Sequence, residues 1–267
     1  MKTNSIDTKT IFDDLQTLRQ QAPLVHNITN FVAMNSSANI LLALGASPVM
    51  AHASEEIPEI EKIADALVIN IGTLDPHWIS AMKTAQQYAL QKKIPIILDP
   101  VGVGASKLRT TTAQTMLQTG VDIVRGNGSE IMALANYSTN TKGVDSLTIS
   151  SEAINAAQQL VKKFHCVVVV SGADDFIVTT DNIIKLSNGT FLFTKVTAMG
   201  CGATAAIGAF AAINKNYAVA ATHAMATFTI AGECVAKTAS MPGSFYNAFI
   251  DKLFSLTHDD LKILRIS

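Results

Sequence analysis

The sequence predicts an α/β fold in which a mostly parallel central sheet is covered by helices on both faces. Short runs rich in Val and Ile alternate along the chain with longer segments whose apolar residues recur at helical spacing. The short runs are continuously apolar instead of alternating, which is typical of strands buried on both faces. Because no Pro/Gly/Ser-rich linker or charge run interrupts the 267 residues, we expect residues 1–267 to form a single domain.

The parallel part of the sheet is predicted from five apolar runs that are separated by helical patterns. The first helix follows Thr29 or Asn30, either of which is a suitable N-cap. In chain order, the predicted strands are residues 47–51, 66–71, 94–98, 121–124 and 166–171, and the helices among them are residues 31–44, 76–91, 110–118 and 152–164.

The pattern changes in the last third of the chain. Residues 176–180, 183–186 and 191–194 are short apolar runs, and Asp181-Asn182 and Asn188-Gly189 lie between them, where tight turns are expected. These runs predict an antiparallel ribbon at the sheet edge. Three helices and no further strand are expected after it: residues 202–214, 217–237 and 244–256.

The composition argues for an oligomer and against nucleic acid as a partner. Charged residues make up 15% of the chain, against roughly 25% in an average globular protein, so we expect homo-oligomer interfaces to bury additional surface. Lys and Arg (20) nearly balance Asp and Glu (21), and no basic block could neutralise a phosphate backbone.

The sequence also favours a cytoplasmic protein over an exported or membrane protein. Residues 1–10 are polar and lack the apolar core of a signal peptide. Cys166, Cys201 and Cys234 have no C-x-x-C spacing, which argues against a disulfide framework or a zinc site. Residues 217–235 are the best membrane candidate, but they contain His and Glu and much weakly hydrophobic Ala, so we expect a buried helix.

The most informative segment is residues 196–212, VTAMGCGATAAIGAFAA. Small residues run here from a predicted apolar strand directly into an alanine-rich helix. The first N–H groups of a helix are unpaired and lie at the positive end of its dipole, so this junction is a candidate seat for a phosphate or a developing anion. Cys201 lies at its entrance, between Gly200 and Gly202.

Three other predicted strand ends carry residues that suit the same chemistry. Asp99 precedes a loop with two glycines, Arg125 precedes an Asn-Gly turn and then Glu130, and Ser171 precedes a turn. Each has a simpler interpretation: Asp99 caps an ordinary turn, Glu130 completes a capping box, and Ser171 forms an ST-turn before two solvated aspartates at residues 174–175. Together, at one edge of a sheet, they supply anion donors and two possible magnesium ligands, a combination that suits phosphoryl transfer.

Several other enzyme classes find little support in the sequence. It contains no G-x-x-x-x-G-K-[ST] phosphate loop and no G-x-S-x-G nucleophile elbow. The six histidines never pair at i, i+4, so each is interpreted as a surface or hydrogen-bonded core residue and not as a zinc ligand. Residues 200–205 match G-x-G-x-x-A, but a dinucleotide fingerprint needs a following strand with an acidic end, and only helices are predicted there.

Four segments in order resemble those of the hydroxyethylthiazole kinase family of the ribokinase-like superfamily: HNITN (26–30), LGASPVMAHA (44–53), LDPVGVGAS (98–106) and RGNGSEI (125–131). The resemblance runs from about Pro23 to Lys237. It implies a three-layer ribokinase-like fold and transfer of the γ-phosphate of ATP, with Mg²⁺, to the hydroxyl of 4-methyl-5-(2-hydroxyethyl)thiazole in thiamine salvage. It also implies a homotrimer with the thiazole site between subunits.

The resemblance assigns roles to particular residues. Met50 and the backbone of Ala198 are expected to contact the thiazole, with Asn27 nearby in the pocket. The other expected site residues handle the nucleotide, its metal and its phosphates: Arg125 and Ser171 for ATP, Asp99 and Glu130 for Mg²⁺ directly or through water, and Gly200 to Gly202 for the anion hole.

The chain departs from expected patterns at two places. The wider superfamily has Gly-Ala-Gly-Asp at this helix start, with the Asp as general base, whereas Cys201 stands here. A thiol with an ordinary pKa near 8.5 is a poor base, but phosphoryl transfer gains comparatively little from early proton removal, so a modest role for Cys201 is expected. Ala198-Met199 replaces the family's usual Gly-Thr, which removes a hydroxyl and adds a larger apolar side chain.

Other functions stay open at this point. A kinase for another heterocyclic alcohol such as hydroxymethylpyrimidine, or an ATP-dependent repair dehydratase of hydrated nicotinamide cofactors, would share the fold. A catalytically idle nucleotide-binding protein would tolerate the poor base. A dinucleotide-dependent oxidoreductase rests on the G-x-G-x-x-A match alone.

Overall fold

The computed structural model describes residues 6–136 and 146–267, the side chains of residues 146–150 excepted. Eight strands and ten α-helices form in these residues. The strands are β1 Leu24–Ile28, β2 Ser47–Val49, β3 Ala66–Asn70, β4 Ile96–Asp99, β5 Ile123–Asn127, β6 Val167–Ser171, β7 Asp175–Val178 and β8 Ile183–Leu186. The helices are α1 Thr8–Gln21, α2 Met34–Leu44, α3 Ile57–Ile63, α4 Pro76–Lys92, α5 Lys107–Thr119, α6 Gly128–Leu134, α7 Ser146–Phe164, α8 Met199–Ile213, α9 Tyr217–Ala236 and α10 Pro242–Ser255.

The strands form one sheet in the order β2-β1-β3-β4-β5-β6-β7-β8. The first six are parallel to one another, and β7 and β8 are antiparallel, as the sequence predicts. Side chains alternate between two buried apolar clusters: Val68 belongs to one, and its neighbours Leu67 and Ile69 belong to the other. Helices α1, α2 and α8 to α10 cover the first face and α3 to α7 the second, so the fold is the predicted three-layer α/β arrangement.

Strand β1 was not predicted from the sequence. Its residues LVHNI include His26 and Asn27, which interrupt the apolar run that signals a doubly covered strand. Both side chains are nevertheless buried, with at most 1% of their surface exposed. The first predicted helix begins later than expected, at Met34, because Asn30 Oδ1 accepts from Ala33 N and closes a turn before the helix.

The prediction that the third apolar run forms a strand of the ribbon is wrong. Residues Phe191–Thr194 form a 3₁₀ helix, because the Thr190 side chain accepts from Leu192 N and the Thr194 hydroxyl donates to Phe191 O. The segment that leads into α8 is therefore not a strand either. Ala198, in the left-handed conformation with φ 65°, turns the chain directly into the helix.

Helix α8 lies very close to the sheet. A Cβ at Gly208 would stand 2.6 Å from Val68 Cγ2, so only glycine permits this approach, and the many alanines of α8 keep its backbone close along the rest of its length. Helix α9 packs beside it. Among the described residues it is the one helix long and apolar enough to cross a membrane, and 78% of its apolar window is buried inside the protein, as predicted for a core helix.

Residues 265–267 add short pairing to the edge of β8, where no further strand was expected. Ile266 forms an isolated bridge with Leu186, and Lys185 and Ser267 exchange backbone hydrogen bonds of 2.7 and 3.0 Å. Arg265 joins this segment to α9 through a bidentate ion pair with Glu233, with hydrogen bonds of 2.8 and 2.7 Å. The open edge of the ribbon is thereby partly covered.

Candidate active site

The start of helix α8 presents unpaired backbone donors beside a cation. In the described residues, the N–H groups of Met199, Gly200 and Cys201 have no hydrogen-bond partner, whereas Gly202 N donates to Ala198 O at 2.8 Å as the first bond of the helix. Gly200 to Gly202 are predicted to form an anion hole. Gly202 contributes no free N–H group to it. Its lack of a side chain serves packing instead, because a Cβ there would lie 2.2 Å from Ile40 Cδ1.

Arg125 lies directly against this helix start. A Cβ at Gly200 would stand 2.7 Å from Arg125 Nη1, so the glycine allows the guanidinium to pack against the backbone. Arg125 Nε is buried and has no hydrogen-bond partner, and no ion pair to Arg125 forms within the described part of the chain. A half-buried cation that forms no ion pair, beside free N–H groups, is suited to binding an anion.

A cavity of about 580 Å³ opens beside Arg125. Its wall combines Arg125, Ser171 and Gly200 with the loop around Asn188 and with apolar side chains that include Phe193. The cavity thus joins the predicted nucleotide residues to the helix start. Ser171 forms no ST-turn: its hydroxyl donates to Gly126 O at 3.3 Å.

The two aspartates after Ser171 behave differently from each other. Asp174 is partly exposed and pairs with Lys185 at 2.9 Å. Asp175 is buried in the wall of the cavity and accepts from Gly172 N, so its expected solvation is wrong. Burial raises the pKa of Asp175 to about 6, against the opposing influence of Arg125.

Asp99 is held in a buried polar network instead of capping a turn. Its Oδ2 accepts from Asn70 Nδ2 at 2.9 Å and from Thr204 Oγ1 at 2.7 Å. Burial raises the pKa of Asp99 to about 6, and the nearby Glu130 carboxylate adds to this rise, whereas Arg125 opposes it. No hydrogen bond reaches Asp99 Oδ1 within the described residues, so this oxygen is available to a ligand.

The network continues from Asp99 to the thiol at the helix start. Asn70 Oδ1 accepts from Asn30 Nδ2 at 2.8 Å, and the same Asn30 nitrogen lies 3.4 Å from Cys201 Sγ. Burial raises the pKa of the Cys201 thiol to about 11, and the Asp99 carboxylate raises it further. The thiol therefore stays protonated near neutral pH, so little thiolate is present to accept a proton.

Sequence reasoning did not single out Asn70 or Thr204 as site residues. A polar side chain at the carboxyl end of an apolar strand is the signal that could have found Asn70, since the same signal found Asp99 in the next strand. Thr204 stands one helical turn after Gly200, and a hydroxyl on that face of α8 carried no signal of its own.

Glu130 is fully engaged at the start of α6. Its Oε2 accepts from Asn127 N at 2.9 Å and Asn127 Oδ1 accepts from Glu130 N at 3.0 Å, so the predicted capping box is confirmed. Its Oε1 accepts from Gly102 N at 2.9 Å, which links the loop after Asp99 to α6. Glu130 still lies close enough to Asp99 to influence its charge.

The predicted thiazole residues lie outside this cavity. Met50 is half-buried and follows β2, the first strand of the sheet, whereas Asp99 ends β4. Three strand spacings separate β2 from β4, which is about 14 Å at roughly 4.8 Å per spacing. Asn27 Oδ1 is buried and has no hydrogen-bond partner among residues 6–136 and 146–267. Ala198, by contrast, adjoins the helix start and caps α8.

Comparison with known proteins agrees with this architecture. The profile of the hydroxyethylthiazole kinase family matches residues 15–259. A hydroxyethylthiazole kinase of Syntrophus aciditrophicus is 50% identical over 249 residues, which cover 92% of each chain. The solved structure of a hydroxyethylthiazole kinase protein from Pyrococcus horikoshii OT3 superposes with a TM-score of 0.89 at 40% identity, covering 97% of this chain and 98% of that one.

A more distant structure shares the fold alone. A ribokinase-like superfamily protein from Enterococcus faecalis V583 superposes with a TM-score of 0.64 at 14% identity, covering 96% of this chain and 91% of that chain. The fold is therefore ribokinase-like. With a profile that spans most of its length and relatives near half identity, this chain belongs to the hydroxyethylthiazole kinase family.

Proposed function

We propose that this protein transfers the γ-phosphoryl group of ATP to the hydroxyl of 4-methyl-5-(2-hydroxyethyl)thiazole, as a kinase of thiamine salvage. The carrying observation is the packing of Arg125 against Gly200 at the free end of α8. This arrangement lies between a cavity of nucleotide size and the buried Asp99 network. Family membership supplies the identity of the acceptor.

ATP occupies the cavity in this proposal, with its phosphates directed toward the start of α8. Arg125 and Ser171 bind the nucleotide, and Gly200 and Cys201 donate backbone N–H groups to the transferred phosphoryl group. Gly202 belongs to the same turn but only provides space. Because the transition state of phosphoryl transfer is loose, fixed donors and a cation lower its energy mainly by positioning and by neutralising charge.

Asp99 and Glu130 suit a Mg²⁺ site, and we propose that the reaction uses this metal. Mg²⁺ keeps several waters and typically takes one or two protein carboxylates together with substrate phosphates. Asp99 Oδ1 is available for direct contact, whereas both oxygens of Glu130 already accept N–H groups, so Glu130 acts through water. The bound ion supplies charge neutralisation on the phosphate oxygens.

Cys201 assists the acceptor hydroxyl as a weak base. Its Sγ is fixed by Asn30 at the helix start, which places it beside the donors that bind the phosphoryl group. Early removal of the hydroxyl proton contributes little in a loose transition state, so the high pKa of the thiol is compatible with turnover.

The thiazole contacts Met50, the backbone of Ala198 and Asn27. The unpartnered Asn27 Oδ1 is a buried acceptor that a ligand or a neighbouring subunit would satisfy. The separation of Met50 from Asp99 favours a site shared between subunits, so we propose a homotrimer. The chain acts as a single kinase domain in the cytoplasm.

A coupled ADP-release assay with Mg-ATP and a panel of alcohols tests this function. The panel contains the hydroxyethylthiazole and hydroxymethylpyrimidine, and the expected result is ADP release that depends on the thiazole. Release with another alcohol alone would keep the kinase but change its acceptor. No release from folded protein that still binds ATP would contradict the proposal and favour an idle nucleotide-binding protein.

A further inference from the structure

A buried His–Glu pair lies beneath the segment that carries Met50. His26 on β1 and Glu61 on α3 have at most 1% of their surface exposed, and His26 Nδ1 lies 2.5 Å from Glu61 Oε1. The other ring nitrogen, Nε2, lies 2.8 Å from the carbonyl oxygen of Ala51. The proposed reaction uses neither side chain.

The two hydrogen-bond partners of His26 determine which ring nitrogen carries a hydrogen. A carbonyl oxygen can only accept, so His26 Nε2 carries a hydrogen and donates to Ala51. Nδ1 and Glu61 Oε1 then share one proton, whichever atom holds it. Glu61 therefore selects the ring state that binds the Ala51 carbonyl.

The segment after β2 has little other support from the sheet. Strand β2 has three residues and, in the part of the chain that the structure describes, pairs with β1 alone. Met50 and Ala51 lie outside the strand. The bond from His26 therefore continues the attachment of this segment to β1 after the strand pairing has ended.

A second anchor holds the same segment from the solvent side. The exposed His52 ring stacks on Trp78 of α4 with a centroid distance of 4.4 Å and an interplanar angle of 15°. Phe31 packs edge-on against the same indole at 4.6 Å. Residues 50–52 are thus held between a buried hydrogen bond and an aromatic stack.

We propose that His26 and Glu61 are positioning residues that fix the Met50–Ala51 backbone, so that Met50 is preorganised to receive the acceptor alcohol. This inference rests on the proposed function, since Met50 is a thiazole contact only there. Preorganised contacts lower the entropy cost of binding. Loss of the His26 hydrogen bond therefore weakens binding of the acceptor alcohol and leaves binding of the nucleotide unaffected.

Two variants separate the effect of the His26–Ala51 hydrogen bond from the effect of the charge on Glu61. His26→Asn retains a polar group near Nδ1 but cannot reach Ala51, and it is expected to raise KM for the thiazole at least tenfold, with KM for ATP within twofold. Glu61→Gln can donate its amide to Nδ1 while Nε2–H still binds Ala51, so KM for the thiazole is expected within threefold of the native value.

A control variant and a second test variant distinguish a positioning effect from a general loss of protein stability. Gln86→Leu removes another buried polar side chain, which binds Met116 O and Gly120 O away from this segment, and should lower the melting temperature without changing KM for the thiazole. His52→Ala removes the exposed stack on Trp78 and the 3.4 Å hydrogen bond between His52 Nδ1 and Met50 O. It should raise KM for the thiazole about threefold, even where His26→Asn fails to fold.

Hydrogen–deuterium exchange gives a readout that does not need activity. Amides of residues 50–53 should exchange at least tenfold faster in His26→Asn and in His52→Ala than in the native protein, but not in Gln86→Leu. Faster exchange in a protein that phosphorylates no thiazole would refute the proposed function and keep the anchoring. Unchanged exchange, or equal rises in KM for ATP and thiazole, would overturn the positioning role.

Discussion

Asn70 Nδ2 donates a 2.9 Å hydrogen bond to Asp99 Oδ2, and this bond determines which oxygen of the buried carboxylate is free. The register of the sheet brings the two residues together, since Asn70 and Asp99 pair directly across β3 and β4. The Thr204 hydroxyl binds the same oxygen from α8. The position of Asp99 Oδ1 is therefore set by three elements of the fold: β3, β4 and α8.

Substitution of Asp99 by Asn should separate catalysis from stability. The amide can keep its oxygen toward Asn70 and Thr204, but it presents an NH₂ group where the proposed metal contact lies. We expect kcat to fall at least a hundredfold and the Mg²⁺ concentration for half-maximal rate to rise. A steady-state titration with Mg²⁺ measures both, and a loss smaller than tenfold would contradict the assignment of Asp99.

The same variant should alter the pH dependence of stability. The pKa of Asp99 is about 6 in the fold and about 3.9 in an unfolded chain. The contribution of Asp99 to the free energy of unfolding is therefore complete below about pH 4 and is lost as pH rises toward 6. Asp99→Asn should thus stabilise the protein above pH 6 by about 2–3 kcal/mol and by little at pH 4. Urea unfolding at several pH values tests this, with Asp251→Asn at an exposed carboxylate as the control substitution.

Gly200→Ala should weaken nucleotide binding. Its Cβ would stand 2.7 Å from Arg125 Nη1, so the guanidinium must move away from the helix start. We expect KM for ATP to rise at least tenfold. Gly243→Ala, where a Cβ meets nothing within 4 Å, is the matched control, and similar kinetics for the two variants would argue against the Arg125–Gly200 site.

Cys201→Asp should keep or raise kcat. A carboxylate at this position can accept the hydrogen bond from Asn30 and is ionised at neutral pH, so it can take the hydroxyl proton. A thiol whose pKa is about 11 is almost entirely protonated there. Cys201→Ser keeps the size of the side chain without adding a base and should change kcat by less than tenfold. Rapid-quench measurement of ADP formation separates the chemical step from product release. A thousandfold loss in Cys201→Asp would refute the weak-base role.

Phe31→Asp should disrupt the proposed trimer. Phe31 and Val32 are 62% and 60% exposed and immediately follow Asn30 of the site network, so they form an apolar surface beside the proposed acceptor site. We expect light scattering to give a smaller mass and KM for the thiazole to rise, with ATP binding retained. Phe254→Asp, at another exposed phenylalanine on α10, should leave mass and kinetics unchanged.

The parallel strands and the residues at their carboxyl ends could be predicted because short segments of sequence specify them. Val- and Ile-rich runs specify β3 to β6, and Asp99, Arg125 and Ser171 follow from where those runs end. Strand β1 was not predicted because His26 and Asn27 interrupt its apolar run, and the contacts that hold His26 come from residues distant in the sequence. Phe191–Thr194 is apolar enough for a strand, but the hydroxyls of Thr190 and Thr194 stabilise a 3₁₀ turn.

The site was predicted as separate strand ends and not as a network. Each residue of the Cys201–Asn30–Asn70–Asp99 series comes from a different element, and Cys201 is 171 positions from Asn30. Spacing along the chain carries no information on such contacts. The helix start and a strand end pointed to Cys201 and Asp99, and the family resemblance added their roles, whereas the contacts of Asn70 and Thr204 are visible only in the folded structure.

The attachment of residues 265–267 reaches the wall of the cavity beside Arg125. Asn188, in that wall, accepts from Arg265 N at 2.7 Å and donates to Glu233 at 3.0 Å, and Arg265 pairs with the same Glu233. Arg265 does not line the cavity in the described residues, yet it helps to fix a loop of its wall. A substitution at Arg265 would therefore change the shape of the cavity from outside it.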